Sequence, residues 1–137
     1  GLYAETLGRE LGVYTDPYQY FGYLDSQLFR AIRLVVDTGI HSKRWTRQQA
    51  IDWYKANTPV AEGDIISQVE RYVVYPGQAT AYMIGKLKIM ELREKSRTAL
   101  GDRFDIKAFH DVVLKSGPVP LDILEENVNA WVAATKA

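Results

Sequence analysis

Hydrophobic residues recur along most of the chain at intervals of three and four, which is the spacing of one face of an α-helix. Near the start, Leu2, Leu7 and Leu11 follow this spacing, and Gly12 is a suitable end for the helix. Apolar and polar residues nowhere alternate with the two-residue period of a strand. The pattern predicts an all-α fold of about seven helices, over residues 2–11, 23–40, 47–57, 61–75, 78–100, 106–115 and 121–134.

The second predicted helix, residues 23–40, is apolar nearly all round, which is typical of a buried helix. Arg30, Arg33, Asp37 and His41 interrupt it at steps of three, four and four, and therefore form one polar stripe. Buried charges are costly unless paired, so the stripe either forms internal ion pairs, such as Arg33 with Asp37, or faces a wet cavity. His41 at the helix end is open to a capping or a functional interpretation. The aromatic, proline-containing residues 14–22 before this helix are predicted to be a connection packed on a neighbouring body.

A sharp corner is predicted in the stretch 71–85. Pro76 and Gly77 end one helical pattern, and a new pattern starts at Gln78. Arg71 and Tyr75 lie on one face before the break, and Gln78 and Tyr82 on one face after it. Two interpretations remain open from these residues: a site wall where polar groups converge on a ligand, or a helix-helix corner with half-buried tyrosines.

Composition narrows the function classes. The 137 residues carry 17 basic and 17 acidic side chains, so no net field attracts nucleic acid. There is no cysteine, and with only two histidines a zinc site made wholly from this chain would need carboxylates for most of its ligands. No apolar run approaches the roughly 20 residues that span a bilayer. The chain is predicted to be one helical domain, residues 1–137, and a piece of a longer protein, because it starts without Met inside a helical pattern.

Motifs for phosphate binding, zinc-peptidase, serine-hydrolase or di-iron chemistry do not occur in the chain. Two hypotheses follow from the residues alone. The chain is either a helical binding or assembly module, or the lid or site wall of an enzyme whose catalytic centre lies elsewhere.

Three stretches resemble the C-terminal part of a large bacterial family, the domain-of-unknown-function family eight-eight-five. They are Leu2-Tyr-Ala-Glu5, Arg33-Leu-Val-Val-Asp-Thr-Gly-Ile-His41 and Tyr75-Pro-Gly-Gln-Ala-Thr-Ala-Tyr82. That family is distantly similar to helical gluzincin zinc peptidases of the carboxypeptidase and oligopeptidase types. The resemblance implies a His-Glu-x-x-Pro-Gly-His element upstream, export or a lipoprotein leader, and zinc held in the full-length parent by ligands outside this chain.

The resemblance also implies roles for individual residues. Tyr82 and His41 would donate hydrogen bonds to the developing oxyanion during peptide hydrolysis. Glu5 and Asp37 would orient neighbouring groups through hydrogen bonds. Residues expected to hold substrate are Arg33 or Arg71 for a carboxylate, Gln78 for the peptide backbone, and Tyr75 in the site wall.

The expected partners are the N-terminal portion of the same polypeptide and a peptide substrate. No nucleic acid is expected, and a membrane is expected only through a lipid anchor of the parent. The fragment by itself is expected to bind no metal, to hydrolyse nothing and to be able to form a homodimer. The alternative to this substrate-binding role remains a non-catalytic helical module.

Overall fold

The computed structural model describes residues 1–137, and every regular element in it is helical. Seven α-helices follow one another, with short 3-10 turns before and after the fifth. The predicted all-α class and the number of helices are confirmed. The helices are α1 (Leu2–Glu10), α2 (Pro17–His41), α3 (Arg47–Ala56), α4 (Glu62–Val74), α5 (Ala81–Leu100), α6 (Ile106–Lys115) and α7 (Leu121–Lys136).

Side-chain caps explain where several helices begin. Thr46 and Gln49 form the predicted capping box at the start of α3, in which each side chain bonds the backbone N–H of the other residue. Asp105 accepts a hydrogen bond of 2.8 Å from the backbone N–H of Lys107 at the start of α6. Both helix starts agree with the sequence pattern.

The start of α2 differs from the prediction. Residues 17–22, predicted to be a connection, form the first turns of α2. Asp16 caps this helix by accepting a 2.7 Å hydrogen bond from the backbone N–H of Tyr18, and Pro17 occupies the first helical position. A proline is well suited to that position because its fixed φ angle is helical and the missing N–H would have no intrahelical partner.

The chain divides into two compact units, residues 1–84 and 85–137, with the boundary inside α5. In the first unit, α2, α3 and α4 pack on one another, and the 3-10 turn Gln78–Thr80 packs on α2. Its core consists of Ile32, Val36, Ala50, Ile51, Tyr54, Ile65, Val69, Tyr72 and Ala79. The second unit has its own core, built around Leu92, Phe109, Leu124 and Val128.

The prediction that α2 is buried on all sides is wrong. Ile32 and Val36 are buried, but Leu24, Leu28 and Val35 are exposed on the same helix. An apolar composition does not specify which faces receive a partner, and the packing of α3, α4 and the 3-10 turn on α2 leaves these three side chains exposed.

The corner at Pro76 and Gly77 forms, although its second half is not the predicted helix start. Gly77 adopts φ +78°, a left-handed conformation that residues with a side chain rarely adopt. Gln78 begins a single 3-10 turn, and α5 starts only at Ala81. None of the helices combines the length and the apolar composition that crossing a lipid bilayer requires.

Candidate functional site

Arg33 is the only basic residue of the chain that is buried, with 5% of its surface exposed. Its Nη2 donates a 2.9 Å hydrogen bond to the side-chain oxygen of Gln68 on α4. Its Nε is buried and has no hydrogen-bond partner. Aromatic rings surround the guanidinium, whose central carbon lies 4.6 Å from the ring centre of Phe29 and 5.6 Å from that of Tyr82.

Arg30, one turn earlier on α2, extends this cationic group. It is half-buried, and its Nε is also sealed from solvent without a hydrogen-bond partner. Its guanidinium carbon lies 5.1 Å from the Phe29 ring centre and 5.2 Å from the Tyr82 ring centre. The Tyr82 ring is therefore in cation–π contact with two guanidinium groups, while 42% of its surface remains exposed.

Gln68, Tyr72 and Tyr54 form a buried polar layer next to Arg33. The Tyr72 hydroxyl donates to the same Gln68 oxygen at 3.4 Å, and the Tyr54 hydroxyl is buried without a well-formed hydrogen bond. Burial raises the pKa of the Tyr54 phenol well above its usual value, and the adjacent Tyr72 phenol adds to this rise. Burial also raises the pKa of Tyr72, against the opposing effect of the positive charge on Arg33. Both phenols consequently stay neutral.

Asp37 does not pair with Arg33, so the ion pair that their spacing left open as one of two alternatives does not form. Its carboxylate is 3% exposed and accepts a hydrogen bond from the backbone N–H of Gly77, at 3.1 Å from each oxygen. Asp37 therefore holds the corner against α2. The orienting role expected of Asp37 stays a prediction.

His41, the last residue of α2, is exposed and bonds the backbone of α4. Its Nε2 lies 2.9 Å from the carbonyl oxygen of Tyr72, and this oxygen can only accept, so Nε2 carries the proton. The ring thereby caps the C-terminal turn of α4. In the neutral ring Nδ1 is then an acceptor, so a second hydrogen bond donated by His41 requires the charged imidazolium.

The two predicted oxyanion donors lie at different ends of the polar stripe. Tyr82 contacts Arg30 and Arg33, whereas His41 follows Arg33 by eight residues, or about 12 Å along a helix axis. No hydrogen bond or ring contact joins Tyr82 to His41. Their joint action on one oxyanion stays a prediction.

Glu5 connects α1 to α2. Its carboxylate oxygen accepts hydrogen bonds from Gln27 Nε2 at 2.9 Å and from Ser26 Oγ at 3.3 Å. A carboxylate held in this way by two donors from one neighbouring helix has a fixed orientation.

The remaining predicted substrate-binding residues, Arg71, Tyr75 and Gln78, are exposed around the corner. No contact joins their side chains to Arg33 or Tyr82 in the structure. Arg30 was predicted only as a member of the polar stripe, and Gln68, Tyr72 and Tyr54 were not predicted to belong to a site. The four-residue spacing of Gln68 and Tyr72 was the available signal, because it places both on one face of α4.

The chain contains no group of three or more histidine, cysteine, aspartate or glutamate side chains arranged to hold a metal ion. The zinc implied by the family resemblance, whose ligands were expected outside this chain, stays a prediction. A shallow groove on the second unit, lined by Glu91, Glu94 and Lys95, contains none of the predicted site residues.

Comparison with solved structures gives a match at a TM-score of 0.94 and 51% sequence identity, described as "the crystal structure of the putative lipoprotein from Colwellia psychrerythraea". The alignment covers 97% of this chain but only 23% of that protein. The comparison with curated proteins found no match. A family model described as "Bacterial protein of unknown function (DUF885)" matches residues 1–128, and the chain belongs to that family.

Proposed function

We propose that this chain is the substrate-binding and oxyanion-stabilising part of a zinc-dependent peptidase formed with the N-terminal portion of the same polypeptide. One observation carries the proposal: the partly exposed phenol of Tyr82 contacts two guanidinium groups. Such an arrangement combines a hydrogen-bond donor with positive charge at a place that ligands can reach.

Peptide hydrolysis develops negative charge on the carbonyl oxygen, and donors fixed in advance stabilise that charge without reorganising. The Tyr82 hydroxyl is a suitable donor because its ring is held by packing against Arg30 and Arg33. Removal of a single donor of this kind from a peptidase typically costs about 2.7–4 kcal/mol of barrier. The two positive charges next to the phenol favour an anionic species further.

Exposed Arg71, Tyr75 and Gln78 supply side chains at the corner that can meet an extended peptide. Arg71 would bind a carboxylate in bidentate fashion, and the Gln78 amide would bond the peptide backbone. His41 would contribute a second donor only as the imidazolium, since its Nε2 proton is already used on the Tyr72 carbonyl.

The metal expected of such a peptidase would need ligands from outside these 137 residues. The 23% coverage of the Colwellia psychrerythraea protein supports a larger parent with room for them. We expect this chain by itself to cleave no peptide.

The test is Tyr82→Phe in the full-length polypeptide that carries this chain. Loss of the hydroxyl should lower kcat about 100- to 1,000-fold, with an unchanged unfolding midpoint, because phenylalanine keeps the ring between the two arginines. Tyr18→Phe is the matched control, because Tyr18 is 85% exposed on α2. This change should affect neither the unfolding midpoint nor turnover. Unchanged turnover of Tyr82→Phe removes Tyr82 from the mechanism.

A non-catalytic binding or assembly module is the second candidate, and one observation favours it. Tyr18, Phe21, Leu24 and Leu28 form an exposed apolar face on the first half of α2. Faces of this kind mark contact with another protein body. A parent polypeptide that has no His-Glu-x-x-Pro-Gly-His element and no peptidase activity would favour this candidate over the first.

A further inference from the structure

The guanidinium of Arg33 is buried without a counter-ion. A buried charge is normally paired, because its removal from water costs several kcal/mol. The one hydrogen bond that Arg33 donates goes to a neutral amide, that of Gln68, and its Nε has no partner. Water would compensate the charge of an exposed arginine with so few partners, but Arg33 is only 5% exposed and its positive charge stays uncompensated.

Arg30 adds a second uncompensated charge at the same place. It takes part in no hydrogen bond or ion pair, and both guanidinium groups lie against the rings of Phe29 and Tyr82. Cation–π contacts offset only part of the cost of burying these charges. Mutual repulsion of the two cations adds to that cost.

The carboxylate nearest along α2 does not neutralise them. Asp37 directs both oxygens to the Gly77 N–H rather than to Arg33. Two carboxylates of α4 pair with residues of α3 instead, Glu70 with Arg47 and Glu62 with Lys55. The protein described here therefore contains no internal anion for this pair.

We propose that Arg30 and Arg33 form a binding site for a carboxylate group of a ligand. In each arginine, Nε is the one guanidinium nitrogen that is buried without a hydrogen-bond partner. The terminal nitrogens of the half-buried Arg30 are not sealed in this way and remain open to a ligand. The Tyr82 ring, which contacts both guanidinium groups, is itself 42% exposed. Guanidinium groups present a planar set of donors that matches the two oxygens of a carboxylate.

A carboxylate suits these surroundings better than a phosphate does. It carries a single negative charge and is attached to an organic body, for which the Phe29 and Tyr82 rings provide apolar contact. A phosphate carries close to two charges and a strongly held hydration shell, which these flanking rings cannot replace. Within the proposed function, the ligand would be the terminal or side-chain carboxylate of a peptide; that identity rests on the proposed function, while carboxylate binding itself does not.

The site can be tested on the 137-residue chain by ¹⁵N NMR of the guanidinium Nε–H groups. Sodium acetate and inorganic phosphate are titrated separately at constant ionic strength. We expect acetate to shift the Arg33 and Arg30 signals saturably and phosphate to bind more weakly. Arg30→Gln should weaken acetate binding about tenfold, as loss of one charge-assisted hydrogen bond predicts. Arg47→Gln is the control, because Arg47 is exposed and already paired with Glu70.

Three results would overturn the inference: no saturable shift with acetate, equal acetate affinity in the Arg30→Gln chain, or tighter binding of phosphate than of acetate. If Arg30→Gln fails to fold, acetate binding is measured with Gln68→Glu instead. The new carboxylate next to Arg33 should compete with acetate and weaken acetate binding by a similar factor. Peptide cleavage by the full-length polypeptide is measured independently, so loss of the carboxylate site and loss of the peptidase proposal are distinguishable.

Discussion

The carboxylate of Asp37 accepts a hydrogen bond from the backbone N–H of Gly77, with each oxygen 3.1 Å from the nitrogen. The two residues are 40 positions apart in the chain, and their contact joins the last turns of α2 to the corner before α5. The position of the corner, and with it the start of α5 that carries Tyr82, therefore depends on a buried charge on another helix.

Replacing Asp37 with alanine should destabilise the first unit. Hydrogen bonds to a charged partner contribute about 1.5–3 kcal/mol, and we expect the free energy of unfolding to fall by that amount. Asp52→Ala is the matched control, because Asp52 is exposed and accepts only from Gln48 on the same helix. Urea denaturation monitored by circular dichroism measures both. An Asp37→Ala chain no less stable than the control would contradict the role given to this contact.

Gly39 lies where α2 meets Trp45 so closely that a side chain does not fit. A methyl group at this position would be 2.6 Å from Cδ2 of the indole ring. We expect Gly39→Ala to lower the free energy of unfolding by about 1–3 kcal/mol through overpacking. Gly22→Ala, in the same helix with nothing within 4 Å of the added methyl, should instead be neutral or raise stability by about 0.5–1 kcal/mol. Equal effects of the two changes on the unfolding midpoint would show that Trp45 moves aside freely.

Gln68→Glu should give Arg33 the counter-ion it lacks. The new carboxylate would occupy the place of the amide oxygen that is 2.9 Å from Nη2, and a charge-assisted bond is roughly twice as strong as a neutral one. We expect the free energy of unfolding to rise by about 1 kcal/mol relative to Ser67→Glu. The Ser67→Glu control introduces the same charge at an exposed position of α4. If Ser67→Glu stabilises the chain as much as Gln68→Glu does, the interpretation that Arg33 lacks a counter-ion is wrong.

His41→Ala tests the capping role that the structure gives to His41. The Nε2 bond to the Tyr72 carbonyl contributes about 0.5–1.5 kcal/mol if it behaves as an ordinary hydrogen bond, and stability should fall by that amount. Lys43→Ala, exposed two residues further on, should leave the denaturation midpoint unchanged. An unaltered denaturation midpoint in His41→Ala would contradict the capping role of the imidazole.

A network of charges on the second unit should make its stability depend on pH. Glu125 bonds Lys88 at 2.5 Å and Lys95 at 3.4 Å, and Glu91 also pairs with Lys95. Hydrogen bonding to Lys88, followed by that to Lys95, lowers the pKa of the Glu125 carboxyl below its ordinary value. The resulting stabilisation is fully present above the ordinary carboxyl pKa and is lost as the pH falls through the lowered folded value.

Glu125→Gln should therefore be less stable than the unaltered chain at neutral pH and should approach it on acidification to about pH 3. Added salt should also reduce the difference, because these side chains are at the surface. Glu126→Gln, which changes the neighbouring exposed carboxyl, is the control and should show neither trend. Thermal unfolding at a series of pH values would reveal a constant difference if the network does not contribute.

The helices were predictable because they depend on information local to each segment. The capping box of Thr46 and Gln49, the cap at Asp105 and the break at Pro76 and Gly77 each follow from residues within one turn of one another. The prediction was wrong over residues 17–22, where aromatic content was given more weight than the helix-starting pair Asp16 and Pro17. That signal was present in the sequence.

The chain by itself determined an all-α protein with a polar stripe of charges on its second helix and a corner before Tyr82. Only the tertiary structure decided which partner each charge received. The i,i+4 spacing of Arg33 and Asp37 allowed a mutual ion pair, but packing brought the Gly77 N–H to Asp37 and the Gln68 amide to Arg33. Helical spacing specifies which residues share a face, whereas the group opposite that face comes from residues about 30 to 40 positions away, and no local pattern records it.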